Sequence, residues 1–587
     1  MRIHLTRPWF HLLLLLLWTV AGLTLRLINL TAKPLWSDEF STIVFSLGHS
    51  FLTVPLDQIL TTEQLLQPVQ LEPQTRVVEV ARHLLRESNH PPLYFVLTHF
   101  WLKLFPDIGG WVSVWGARSL AALLGTLAIP ATFGLGGFAF RSVLVGHLSA
   151  IFMAVSPFAI YLSQEARHYT LPLLWIIISL ACLIVAARAV YQRRALPLTV
   201  CMLWVGVNTL AIATHYLTLL TLLAEGMVLL AIGMVQSWRE QGQWYPYSHW
   251  WRIVGVAAGT MIGGLVWLPY LQDVPDSNLT AWIMQGGRKG LEWVEPIAQG
   301  LAAWISMLYL LPVQSVVLPI VILSSIVLLL LLYWTVPKLY QGLLLQKKQP
   351  DNWFSVMVLG CFVGSAIALF FVITYLFDRD LTSALRYNFV YFPAVMVLIG
   401  AALSPVWRGE ISSPLSMPKW LNWLYGGSAR TVVLIALLSL LGGLTVVSNL
   451  GYQKIHRPDV VAQAIRANAQ GNTLIAIAHE TNGQTGRMMA IAWALQHPPP
   501  SVRNNPTAPA VNPRFLLARV GYSSQAIVST LRQALRDSPR PLNLWLVNFR
   551  DISVKPIKAL LDRQDCQAMD NRRSTDGYTY QLYRCEK

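Results

Sequence analysis

The sequence predicts a polytopic α-helical membrane protein that ends in a small α/β domain, and three observations predict it. Of its 587 residues, 54% are hydrophobic and only 12% are charged, where soluble domains carry about 25% charged residues. Stretches of roughly 20 mostly apolar residues, the length that crosses the hydrocarbon core of a bilayer, recur over residues 9–450. From Gly451 onward the pattern changes to short β-rich runs alternating with amphipathic segments. The mean hydropathy of +0.48 agrees. A net charge of +16 does not point to nucleic acid, because much of the basic excess lies in short loops between apolar segments, where Lys and Arg fix orientation.

The first apolar run follows Arg2 and Arg7. It continues to Leu30 without a small-x-small cleavage site and is read as an uncleaved first membrane helix rather than a signal peptide. About eleven spans are expected in all: 9–30, 111–138, 143–161, 169–189, 197–214, 216–236, 253–271, 316–336, 353–377, 385–404 and 431–450. Two shorter aromatic-rich stretches bounded by proline, 90–105 and 296–312, are assigned to the interface. With the N-terminus inside and these two left uncrossed, five basic loops fall in the cytoplasm: Arg141; Arg188, Arg193 and Arg194; Arg239 and Arg252; Lys338, Lys347 and Lys348; and Arg408, Lys419 and Arg430. The expected location is therefore the cytoplasmic (inner) membrane, with Asp38, Glu39, His90, Glu165, Arg167, His168, His215, Arg386 and the whole tail outside the cytoplasm.

The expected domains are a membrane part over 1–450, including a long first outer loop over 31–110, and an extracytoplasmic α/β domain over 451–587. Strands are expected at 473–478, 514–520, 542–548 and 578–584, and helices at 459–468, 486–496, 524–536 and 555–561, an alternation that implies a small parallel α/β domain. A Pro/Asn-rich linker is read at 497–513. Cys182, Cys201 and Cys361 fall in apolar segments; Cys566 and Cys585 lack zinc-site spacing and are able to pair as a disulfide if the tail is extracytoplasmic.

Several polar groups stand at the outer ends of these spans. Asp38 and Glu39, one residue past Trp36, sit at headgroup depth, where partial desolvation raises a carboxylate toward general-base strength; the alternative is an acidic first turn of a helix opened by Ser37. His90, before Pro91 and Pro92, is either a sugar or phosphate contact or an interfacial anchor. Glu165, Arg167, His168 and Tyr169 cluster at a helix boundary, as a binding turn or as a snorkelling ion pair. The guanidiniums of Arg386 and Arg118 are suited to a phosphate, against an intramolecular pair of Arg386 with Asp378 or Asp380. Glu225, mid-span, is an intramembrane site by default or a buried neutral acid.

Together these segments resemble the polytopic GT-C glycosyltransferases that use lipid-linked sugars, in particular the grouping of protein O-mannosyltransferases with the lipid A aminoarabinose transferases. The resemblance covers roughly residues 9–450. It rests on Asp38-Glu39, on His90-Pro91-Pro92-Leu93 continuing as Tyr94-Phe95, on Arg118-Ser119-Leu120-Ala121-Ala122-Leu123, on Ser156-Pro157-Phe158 leading to Arg167-His168-Tyr169, and on Arg386-Tyr387. No element is specific alone; their order and spacing are. Where some aminoarabinose transferases carry an Asp in the second outer turn, this chain has Glu165, His168 and Thr170.

The resemblance implies transfer of a sugar from a polyprenyl-phosphate donor to a lipid, glycan or protein acceptor outside the membrane, with inversion. Asp38 is then the general base and Glu39 orients it or binds the sugar; His90, Glu165, His168 and Tyr169 hold the donor sugar; Arg386, Tyr387, Arg167 and Arg118 hold the lipid phosphate. The expected cofactor set is empty, with a divalent metal as the alternative; the expected partners are the donor, the acceptor and membrane lipids, and no nucleic acid. Two rivals stand beside this reading. One is a transporter or lipid flippase with Glu225 as its ion or proton site, and the other makes the tail a binding module on an inert anchor.

Overall fold

In a computed structural model, described over residues 8–105, 109–239, 249–267, 269, 288–313, 317–411, 428–451, 456–468, 471–498, 512–520, 524–549 and 554–586, the apolar runs become helices. Among the described residues, seven helices are long and apolar enough to cross a membrane: Pro8–Leu27, Val114–Phe140, Thr170–Tyr191, Thr218–Trp238, Leu318–Lys348, Trp353–Leu376 and Ala429–Val447. The protein is a multi-pass membrane protein. Most of the linker read at 497–513, and Arg2, Arg7 and Lys419, lie outside the described residues.

Four expected spans take a different form. The run 143–161 is two helices, Val143–Val155 and Pro157–Ser163, bent by 57° at the break, because Pro157 has no N–H to continue the ladder and its ring crowds the preceding turn. The runs 197–214 and 253–271 form helices of 15 residues each, Leu198–Ile212 and Trp251–Leu265. The run 385–404 opens as a 3-10 segment, Leu385–Val390, before the helix Phe392–Trp407. The two stretches assigned to the interface carry the helices Leu93–Leu102 and Glu295–Leu308.

The chain divides into two compact units. The first comprises Met1–Leu30, Asn89–Tyr94 and Arg118–Gln453, and the second Thr31–Ser88, Phe95–Ala117 and Lys454–Lys587. Most of the first outer loop thus groups with the tail.

In the first unit, Arg26 closes the first helix and is fully buried. Its guanidinium donates to the carbonyls of Gly22 (2.9 Å), Met153 (3.0 Å) and Ala154 (3.1 Å) and to Ser163 Oγ (3.2 Å). Met153 and Ala154 belong to the last turn of the helix that breaks at Pro157, where carbonyls lose their intrahelical partners. Ser156 adds its own cap, donating from Oγ to the Met307 carbonyl at 2.7 Å and accepting from Ala159 N at 3.3 Å. Gly125 lets Ser163 approach, since a Cβ there would stand 2.1 Å from Ser163 Oγ.

The second unit holds a sheet that, among the described residues, has seven strands: β1 (Ile59–Leu60), β2 (Asn472–His479), β3 (Arg514–Arg519), β4 (Leu542–Val547), β5 (Cys566–Ala568), β6 (Arg573–Thr575) and β7 (Tyr578–Cys585). Their order is β1-β3-β2-β4-β7-β5, with β6 beside β7. The expected strands sit at β2, β3, β4 and β7, but the sheet is mixed: β3, β2 and β4 run parallel, while β1 and β7 join antiparallel. Leu474, Ala476, Leu516, Leu544 and Leu546 pack on the helices Ser524–Asp537 and Val554–Arg563, and Ile475, Ile477, Phe515 and Leu517 on the other face are buried too. Burial on both faces explains why these strands read as continuous apolar runs. Cys566 and Cys585, opposite one another in β5 and β7, form a disulfide.

Two outcomes follow for stability. Arg26→Met leaves the buried carbonyls of Met153 and Ala154 without their donor, and at about 1–3 kcal/mol for each orphaned group it should lower the thermal midpoint of the detergent-solubilised protein by several degrees. Removing the disulfide with Cys566→Ser and Cys585→Ser, which opens a loop of 19 residues' separation, should cost about 3 kcal/mol in denaturant titrations of tail fluorescence.

Candidate active site

The first unit gathers aromatic and cationic groups from four separated segments. His90 precedes the helix Leu93–Leu102; Arg167, His168 and Tyr169 form the turn between Pro157–Ser163 and Thr170–Tyr191; His215 sits in the turn after Leu198–Ile212; Arg386 and Tyr387 lie in the 3-10 segment Leu385–Val390. His168 is at the centre. Its ring lies 4.9 Å from His90, 4.5 Å from His215, 4.6 Å from Tyr169 and 6.1 Å from Tyr94, centroid to centroid. The guanidiniums of Arg167 and Arg386 stand 5.7 and 5.9 Å from the centre of the same Tyr169 ring, and Arg386 is 5.8 Å from that of Tyr387. Each such contact is worth about 0.5–2 kcal/mol, more as water is removed. Both arginines are buried.

The imidazoles are held neutral. Burial, and after it the charges of the neighbouring His215, Arg167, His90 and Arg386, keep His168 well below the ordinary histidine range; burial, then His90, Arg167 and Arg386, do the same to His215. Neutrality fixes tautomers. His215 Nδ1 accepts from the Leu217 amide at 3.1 Å, so its proton is on Nε2; His90 Nε2 accepts from Arg167 Nη2 at 3.4 Å, so its proton is on Nδ1 when the ring is neutral. The site thus combines two permanent cations with uncharged N–H donors, the groups that suit an oxyanion. Among the described residues, no group of three or more His, Cys, Asp or Glu is arranged to hold a metal ion.

The loop leading to Arg386 is fixed by Asp380, which pairs with Arg288 at 3.4 Å and accepts from the Thr382 amide at 2.9 Å. Glu165 is buried in the same turn as Arg167, whose amide donates to the Glu165 carbonyl at 2.7 Å. Arg118 is fully buried and donates to the Leu30 carbonyl at 2.8 Å, which ties down the chain where the first helix ends. Glu225 accepts from Ser179 Oγ at 2.8 and 2.9 Å, and the indole of Trp204 donates to the same hydroxyl at 2.8 Å, so this acid is part of a hydrogen-bonded network between helices.

In the second unit, Asp38 and Glu39 occupy the first turn of the helix Ser37–Ser46, where the helix dipole favours negative charge. Glu39 is fully buried and Asp38 partly so. Trp36 is the helix cap and its side chain makes no capping bond, while Ser37, the first helical residue, turns its hydroxyl to other contacts. Its Oγ lies 3.4 Å from Asp38 Oδ1, as donor, and 3.0 Å from His456 Nδ1. A hydroxyl has one proton, so with that proton toward Asp38 the imidazole supplies the other. The His456 ring is packed by Trp36 at 5.6 Å and Tyr578 at 6.0 Å.

Sequence reading named neither His215 nor His456 as site residues. His215 carried a signal, an imidazole in an outer turn between apolar runs; His456 carried none, since its neighbour Ser37 is more than 400 positions away.

No protein-family model and no curated protein matches the sequence. Among solved structures the chain is similar to ArnT from Cupriavidus metallidurans in the apo state, with 13% identity and a TM-score of 0.50 over 97% of both chains. The same protein bound to undecaprenyl phosphate aligns at 13% identity and a TM-score of 0.49 over 98% of both chains. The archaeal oligosaccharyltransferase AglB from Archaeoglobus fulgidus, in complex with an inhibitory peptide and a dolichol-phosphate, aligns at 12% identity and a TM-score of 0.43, over 97% of this chain and 74% of that one. At such identities the likeness is one of fold, carried by apo ArnT: the chain is a polytopic membrane protein with the GT-C glycosyltransferase fold.

The neutral histidines set a pH dependence. Their folded-state values lie below the ordinary 6.5, so the unfolded chain takes up protons first as pH falls. Their contribution to stability is complete above about pH 6.5 and is lost as pH falls from there toward the folded-state values. Thermal midpoints measured from pH 8 to pH 5 should therefore decline on the acid side, and His168→Gln combined with His215→Gln should flatten that decline.

Proposed function

We propose that this protein is a membrane glycosyltransferase that transfers a sugar from a polyprenyl-phosphate donor to an acceptor outside the cytoplasm. The observation that carries the reading is the pair of buried guanidiniums, Arg167 and Arg386, set about one tyrosine ring among neutral imidazoles. Such an arrangement stabilises charge that grows on a departing phosphate, because the donors are already oriented and little water competes. Arg386 and Arg167, with Tyr387, hold the lipid phosphate; His90, His168 and Tyr169 line the donor sugar, and His215 Nε2–H adds a donor. Glu165 is taken as a sugar contact. Arg118, engaged with Leu30, acts on this site by positioning the end of the first helix.

Asp38 is the general base in this reading, and Glu39 orients it or contacts the sugar. The proton of the acceptor hydroxyl passes to the Asp38 carboxylate as the hydroxyl oxygen attacks the anomeric carbon. The bond to the phosphate oxygen breaks on the opposite face, so configuration inverts and the leaving oxygen departs as a phosphate anion beside the guanidiniums. The arginines supply the positive charge that a metal would otherwise bring, and transfer is taken to be metal-independent; activity should persist in EDTA. The carrier class comes from the family resemblance and the fold. The outer-face placement follows the distribution of basic loops. A transporter built on Glu225 is not favoured, given the GT-C fold and the Ser179 hydrogen bonds that occupy this acid.

The test is turnover of the purified full-length protein in lipid nanodiscs with a panel of polyprenyl-phosphate sugars, read as release of free lipid phosphate. Arg386→Ala should lower kcat about 10²- to 10³-fold, and Asp38→Asn about 10²- to 10⁴-fold. Normal turnover in Asp38→Asn and Glu39→Gln alike would remove the carboxylates from the mechanism.

A further inference from the structure

The tail contains a second polar site that the transfer chemistry does not use. In the order β3-β2-β4, the chain leaves β2 toward β3 through the helix Asn482–Gln496 and leaves β4 toward β5 through the helix Val554–Arg563. The connections diverge, and in open α/β sheets ligands bind in the crevice at the carboxyl ends of strands where this happens. A cavity of about 270 Å³ lies there, lined by Glu480, Gln484 and Arg487 after β2, Asn548 after β4, and Ser574 and Thr579 from the β6–β7 hairpin.

We propose that this cavity binds a neutral, hydroxyl-rich ligand, a glycan segment of the acceptor. Its lining presents one carboxylate, one guanidinium, two amides, the hydroxyls of Ser574, Thr575 and Thr579 and the phenol of Tyr578, so it offers both donors and acceptors and the formal charges cancel. Ala478 and the Tyr578 ring are the main apolar surfaces in this lining, too little to hold an acyl chain, and an ionic ligand meets both signs. Among the described residues, the Glu480 carboxylate, the Arg487 guanidinium and the Gln484 Nε2 make no hydrogen bond or ion pair, although opposite charges face one cavity. Asn548 is set rigidly: its Oδ1 accepts from the Thr579 amide at 2.8 Å and its Nδ2 donates to the Gly577 carbonyl at 3.3 Å.

The cavity also stands next to the carboxylate helix. Gly577 and Tyr578 line it; a Cβ at Gly577 would come within 2.2 Å of His456 Cδ2, and His456 meets the Ser37 hydroxyl that reaches Asp38. From the other side, Gly486, between Gln484 and Arg487, packs on Ser37 so closely that a Cβ would lie 3.2 Å from its carbonyl oxygen. A ligand held here is therefore one residue layer from the group proposed to deprotonate the acceptor. Its role as an acceptor subsite rests on the transferase reading; binding itself does not.

The experiment is a glycan array of neutral oligosaccharides beside matched carboxylated and sulfated ones, probed with the full-length protein in nanodiscs. The expected result is selective binding of neutral glycans, weakened tenfold or more by Arg487→Ala or Glu480→Gln and unchanged in Asp38→Asn. Absence of neutral-glycan binding, preference for the charged glycans, or binding indifferent to both cavity variants would overturn the proposal. If binding follows this pattern while Asp38→Asn retains full turnover, the general-base reading fails and the cavity stands.

Discussion

A single buried cation at the end of the first helix governs the shape of the membrane unit. A helix broken inside an apolar environment exposes carbonyls that no water reaches, and each is costly until a partner arrives. Arg26 is that partner: it takes the Met153 and Ala154 carbonyls on one side of the break and Ser163 on the other. The 57° bend then delivers the chain into the turn that carries Glu165, Arg167, His168 and Tyr169. Without the bend this turn would continue the axis of the preceding helix.

Proline alone does not explain the break. Pro130, Pro337 and Pro405 lie inside helices that continue through them. Only at Pro157 does Arg26, which no window around 157 contains, join the Ser156 hydroxyl in taking up the freed groups. This is why an apolar run over 143–161 reads as one span. The same reason hides β1: a two-residue strand has no period of its own, and its partner Phe515 is hundreds of residues on. By contrast, β2, β3, β4 and β7 were legible because each is a short apolar run bounded by turn residues, and the long helices because roughly 20 apolar residues admit little else.

The site divides similarly. Arg167, His168, Tyr169 and Arg386 were legible as polar groups at helix ends, where a chain this apolar has little other reason to place them. What local reading does not supply is their chemical state. His168 is neutral because it is buried, and after that because His215, Arg167, His90 and Arg386, three of them from other segments, surround it. Likewise the contact of Ser37 with His456 arises only when the first loop and the tail fold together. The tail thereby acquires a part in the account, supporting the helix that bears Asp38 and Glu39.

In the proposed reaction the guanidinium pair of Arg167 and Arg386 is the phosphate site. The most direct measurement is a cryo-EM structure of the protein in nanodiscs with a non-transferable polyprenyl-phosphate sugar analogue. The phosphate oxygens should lie within hydrogen-bonding reach of Arg167 and Arg386, with His168 beside them; a phosphate bound elsewhere, with the Tyr169 pocket unchanged, would contradict the central claim.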